Sequence, residues 1–97
     1  MRRTRTVRAG EIISEFFSRP YVARKIAEAS LPEVWAEVAG PQMAELTRRV
    51  EFRRGVMTVW IDSSAARHML FMNRTALRDA VNSKSSVPGL VSELIIK

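Results

Sequence analysis

The chain has 97 residues with a formal net charge of +6, from sixteen Lys or Arg against ten Asp or Glu, and 46% hydrophobic residues. Length and apolar content allow one core, argue against disorder throughout, and leave no room for two domains. The basic balance points to a polyanion, an anionic membrane or an acidic protein as partner, and the absence of cysteine excludes disulfides and thiolate metal sites.

Residues 1–9 carry Arg2, Arg3, Arg5 and Arg8 with Thr and Val between them and no apolar period. They are expected to form a flexible basic arm whose arginines track phosphates. No long apolar run follows this charged start. The sequence therefore predicts neither a secretory signal nor a transmembrane helix, and the expected address is the cytoplasm, with nucleoid association allowed.

Helical spacing begins near Glu11, where Ile12, Ile13, Phe16 and Phe17 share a face until Arg19-Pro20 interrupts it. Val22, Ile26 and Ala29 continue an apolar stripe, with Arg24, Lys25 and Glu28 away from it. Ser30 and Glu33 have the spacing of a capping box, and Pro32 fits a first helical turn. Val34, Trp35 and Val38 form the next apolar face, which Gly40-Pro41 closes; Met43, Ala44 and Leu46 predict one or two further turns before Thr47.

The period then changes from helical to alternating. Val50 and Phe52 point one way, and Arg49, Glu51 and Arg53 the other. Gly55 supplies a turn. On the return, Met57, Val59 and Ile61 share one face and Thr58 and Trp60 the opposite one, which predicts a β-hairpin with one buried side. Ser63 or Ser64 caps a helix in which Ala66, Met69, Leu70, Leu77, Ala80 and Val81 line one arc over the sheet. A loop through residues 82–89 leads to a last strand, Leu90 to Ile96. The expected fold class is α+β: N-terminal helices, a β-hairpin, a helix and a final strand, with a small sheet packed on helices, as one domain over residues 10–97.

Two clusters combine cations with an aromatic ring. On the helix after the hairpin, Arg67, Phe71, Arg74 and Arg78 fall within roughly 60° of arc at 100° per residue, so guanidiniums would meet phosphates while Phe71 stacks on a base. The competing reading is a solvated face with Phe71 tucked against a neighbour. On the hairpin, Arg49 and Arg53 share a strand face with Trp60 opposite. If that face is open, Trp60 is a stacking platform; if the first helices cover it, Trp60 is core. The single histidine, His68, has no metal-binding or catalytic motif around it, and Ser63 and Ser64 read as caps. No enzyme activity, metal or cofactor is expected.

The ordered set of motifs resembles the DciA family, whose members load or operate the bacterial replicative helicase. A helix holds Trp35, Val38 and Gly40 and leads to Thr47. A basic strand precedes Gly55-Val-Met-Thr-Val-Trp-Ile61. Ser63-Ser-Ala-Ala-Arg67 follows with Leu70, and then a helix ends in Val81-Asn82. The resemblance covers roughly residues 10–97 and implies a K-homology-like fold, DNA binding and contact with the replicative helicase. Longer members carry an additional, largely disordered segment implicated in meeting the helicase. These 97 residues have no such segment, so the resemblance implies a helicase contact through the folded domain or the arm. The Gly-x-x-Gly loop by which K-homology domains clamp nucleic acid is absent, since Gly40-Pro-Gln-Met does not match it. The expected function is that of a non-enzymatic DNA-binding accessory protein of replication, holding single-stranded or forked DNA. An RNA-binding module and a basic protein–protein adaptor are the alternatives.

Overall fold

The computed structural model describes residues 19–97. The arm with Arg2, Arg3, Arg5 and Arg8, and the apolar set Ile12 to Phe17, lie outside the described residues.

Arg19 is extended, as the residue before a proline tends to be, and Pro20 begins helix α1 (Pro20–Ala29). The face that α1 turns inward centres on Ala27, which is buried, whereas Ile26 of the expected stripe is exposed. Helix α2 (Leu31–Ala39) follows at once. The expected capping box is not formed: Ser30 has helical backbone angles and its hydroxyl donates back to the Ile26 carbonyl at 3.0 Å. A cap residue needs an extended backbone to aim its oxygen at the N–H groups of the next turn, and the helical angles of Ser30 do not provide it. Gly40, at φ +93°, ends α2, and α3 (Pro41–Leu46) starts on the following proline.

Strands β1 (Thr47–Arg53) and β2 (Val56–Ile61) pair antiparallel through a two-residue turn. Arg54 and Gly55 both take positive φ, +51° and +82°, as a hairpin turn matched to the strand twist requires. The register shifts between Thr47 and Arg49, so Arg48 is the extra residue of a bulge. Strand β3 (Glu93–Ile96) lies parallel to β2, giving the order β1-β2-β3.

The helix after the hairpin is two helices. Ser63 caps α4 (Ser64–Met72), its hydroxyl accepting from the Ala66 N–H at 3.2 Å. At Asn73 the ladder breaks. Its side-chain amide takes the Met69 carbonyl at 2.9 Å, the partner that a continuing helix would give to its backbone N–H, and that N–H turns to Leu70 instead. Helix α5 (Arg74–Lys84) then sets off anew. The break turns Met69, expected in the core, out to 53% exposure. Residues 82–84, expected in a loop, belong to α5.

Met57, Val59 and Ile61 from the inner sheet face and Leu94 of β3 pack with Leu31, Trp35, Ala66, Leu70, Val81, Leu90 and Val91. Val50 and Phe52 lean on this core from the edge. The α+β architecture expected from the sequence is the one observed. Among the described residues no helix is long and apolar enough to cross a membrane.

Candidate nucleic-acid interface

The four residues expected to form one helical stripe have three different roles. Arg67 is half-buried and donates to the Ile61 carbonyl at 2.7 Å, which fastens α4 to the end of β2. Arg78 reaches the Ser92 carbonyl at 3.2 Å and the Asp79 carboxylate at 2.9 Å, fastening α5 to the entry of β3. Arg74 lies over the ring of Phe71, with its guanidinium carbon 4.0 Å from the ring centroid, and Phe71 is 46% exposed. The break at Asn73 removes the continuous helix on which the stripe was drawn. Phe71 and Arg74 are brought together, Arg74 also donating to the Phe71 carbonyl at 2.9 Å, whereas Arg67 and Arg78 are spent on carbonyls of strand ends.

The hairpin cluster is assembled more fully. Side chains alternate along each strand, so Val56, Thr58 and Trp60 face away from the core while Met57, Val59 and Ile61 are buried in it. Arg49 is the direct cross-strand partner of Trp60. Its guanidinium carbon lies 5.0 Å from the indole centroid, within cation–π range. Trp60 is therefore a partly exposed residue of the outer face, and the alternative of a core tryptophan does not hold. Arg53 shares that face, is exposed, and makes no ion pair or side-chain hydrogen bond among the described residues.

Lys97 completes the arrangement from the other side. Its backbone N–H continues the β3 ladder by donating to the Val59 carbonyl at 2.8 Å, and its ammonium stands 5.9 Å from the Trp60 ring centroid. Arg49, Trp60 and Lys97 thus form one row across three strands, an aromatic ring between two cations. Arg49 also pairs with Glu51 on its own strand. Both are exposed, so that pair holds the guanidinium weakly and leaves it open to exchange. Sequence reasoning did not single out Lys97. The last strand was expected, but which strand it would join, and in what direction, was not.

The motif residues have structural duties. Trp35, 1% exposed, donates from Nε1 to Thr47 Oγ1 at 3.0 Å. Gly55 occupies a turn position that also lies against Ser92, Ser63 caps α4, and Arg67 holds Ile61. The Asn82 side chain both donates to the Val91 carbonyl and accepts from the Val91 N–H, each at 2.9 Å. A sequence that keeps this set keeps the joints of this fold.

The family model described as Dna[CI] antecedent, DciA matches residues 8–96. The chain belongs to the DciA family. No curated protein matches it. Membership gives this DciA-family chain a place in DNA replication, in the loading of the replicative helicase. Within this chain Trp35, Thr47, Gly55, Ser63, Arg67 and Asn82 hold the joints between elements, whereas Arg49, Trp60 and Lys97 stand on the outer sheet face. Among the described residues no group of three or more His, Asp or Glu side chains is placed to hold a metal.

Proposed function

We propose that this chain is a non-enzymatic DNA-binding accessory protein that assists loading or operation of the replicative helicase, acting in the cytoplasm and holding single-stranded or forked DNA without reading its sequence. The observation that carries the reading is the cross-strand row Arg49–Trp60–Lys97. An unpaired base has a π face that stacks on an indole whatever its identity, and cations on either side of that ring meet the phosphates before and after the base. Duplex DNA offers the phosphates but keeps its bases stacked on one another. The row therefore favours unpaired strands, such as those exposed where a helicase is loaded. Arg53 extends the cationic face toward the hairpin tip, and the exposed Phe71–Arg74 pair gives a second place where a ring and a guanidinium meet.

The test is a fluorescence titration with single-stranded, forked and duplex DNA and with RNA of matched length, at two salt concentrations. Single strands should quench the Trp60 emission, and affinity should fall with salt at a log–log slope of about −0.7 per phosphate contact. A slope near zero would favour the protein–protein adaptor, and tighter binding of RNA at equal length would favour the RNA module. Co-sedimentation with purified replicative helicase, with and without single-stranded DNA, tests the helicase contact separately.

A further inference from the structure

A cleft of about 420 Å³ lies beside the hairpin tip and is lined by Arg24, Glu28, Phe52, Arg54, Gly55, Gly89, Leu90 and Ser92. We infer that this cleft binds a phosphate group, through the guanidiniums of Arg24 and Arg54 and the backbone around Gly89.

Four observations converge on it. First, Arg24 comes from α1 and Arg54 from the hairpin turn, so two distant parts of the sequence bring like charges to one concavity. Both are exposed, and neither makes an ion pair or a side-chain hydrogen bond among the described residues. The only carboxylate lining the cleft, Glu28, is offset by Lys25 at 4.0 Å. Second, Arg54 is the only non-glycine with positive φ among the described residues. The first position of such a turn favours Asn, Asp or Gly, so an arginine there is chosen against local preference and calls for a reason beyond the turn. Third, the amide of Gly89 donates no hydrogen bond among the described residues, while the Leu90 amide closes the turn through Pro88 and Gly89. Fourth, a Cβ built on Gly89 would meet nothing within 4 Å, so this stretch of backbone borders open space that a ligand can enter.

Two guanidinium forks, the Gly89 amide and an open wall suit a small oxyanion with several acceptor oxygens. They do not suit an apolar ligand. The phosphate has two sources: the backbone of a nucleic-acid strand, or a free phosphate-bearing molecule. The cleft is distinct from the Arg49–Trp60–Lys97 row, so the two stand or fall separately.

The experiment is a ¹⁵N-amide NMR titration of the full chain with inorganic pyrophosphate and, in a second arm, with a short oligothymidylate, recording Trp60 emission in the same samples. The comparison protein is the double variant Arg24→Gln, Arg54→Asn. Asn tolerates the positive φ at the turn and Gln keeps helix propensity on α1, so the fold is retained and the unperturbed spectrum verifies it. The amides of Gly55, Gly89, Leu90 and Ser92 should shift on titration. The double variant should weaken that response at least about tenfold, since each charge-assisted bond to an oxyanion is worth about a factor of ten or more. Response to the oligonucleotide but not to pyrophosphate makes the source a nucleic-acid backbone; response to pyrophosphate alone makes it a free phosphate compound. Silence of these four amides toward both probes, or shifts unchanged in the double variant, overturns the inference. Quenching of Trp60 with silent cleft amides sinks the cleft and leaves the sheet-face reading standing. Cleft shifts with unquenched Trp60 do the reverse.

Discussion

Trp35 and Thr47 are joined by a hydrogen bond across the turn from helix to sheet. The indole Nε1 donates to the Thr47 hydroxyl at 3.0 Å, and that hydroxyl donates onward to the Met43 carbonyl at 2.8 Å. One side-chain oxygen thereby ties α2, α3 and the first residue of β1 together. Thr47→Val keeps the shape and removes both bonds, leaving the indole N–H of a buried ring unpaired. It should cost about 1–3 kcal/mol in urea unfolding. Thr47→Ser retains the hydroxyl and should recover most of the loss. Equal stability of the Val and Ser variants would show that the relay is idle.

Asn82 clamps the Val91 peptide by both of its polar groups. Asn82→Leu should lower stability by about 2–3 kcal/mol, because two partly buried backbone groups lose their partners together. Asn82→Asp keeps the acceptor for the Val91 N–H and turns the donor into a second acceptor facing a carbonyl. It should be destabilised as well, and thermal melts of both variants check this.

Arg67 and Arg74 are equal charges with unequal duties. Arg67→Ala removes a part-buried bond to Ile61 and should lower stability by about 1 kcal/mol or more, whereas Arg74→Ala removes only an exposed, local bond to the Phe71 carbonyl and should move the melting temperature less. The sequence alone predicts that both lie harmlessly off the core arc. A matched pair of melting curves separates the two expectations.

The outer face of the sheet gives the sharpest binding prediction. Trp60→Ala should weaken single-stranded DNA by about 1–3 kcal/mol and duplex DNA far less, since only unpaired bases stack on the ring. The fold should survive, because Trp60 faces away from the core. Arg49→Ala and Lys97→Ala together should reduce the salt slope by about 1.4, two contacts at about 0.7 each. Phe71→Ala should cost less than Trp60→Ala, as a phenyl ring offers less stacking area than an indole and has one cation beside it where Trp60 has two. Gel-shift titrations on single and double strands decide among these.

Gly55 faces two constraints at once. A Cβ there would stand 2.7 Å from Ser92 Oγ, and the backbone has φ +82°. Gly55→Ala should cost about 1–3 kcal/mol. Adding Ser92→Ala relieves the contact but not the backbone conformation, so the double variant should be more stable than the sum of the single effects implies. Strict additivity would mean that β3 shifts aside instead.

The architecture was legible where period and punctuation were strong. The hairpin, its inward Met57, Val59 and Ile61, the Ser63 cap and the closure of α2 at Gly40 follow from alternation, capping chemistry and a positive φ. The break at Asn73 was not legible, because no Pro or Gly marks it: the asparagine competes for the Met69 carbonyl by a side-chain bond that spacing does not reveal. Nor was the role of Arg67 and Arg78, since a helical wheel gives direction but not the strand-end carbonyl that waits there. Lys97 needed the parallel register of β3 on β2. Pairings between residues far apart in sequence leave no local trace, and the three-strand row depends on one.

Ser92 meets Gly55 across 37 positions of sequence, donating to its carbonyl at 2.9 Å. That separation sets an order of events. A two-residue turn can bring β1 and β2 together on the microsecond scale, but β3 can dock only after a long loop has closed around α4 and α5. The third member of the cation–indole–cation row arrives with that step. An incompletely folded chain would thus carry basic charge without a grip, and single-strand affinity would serve as a kinetic clock for the last strand finding its place.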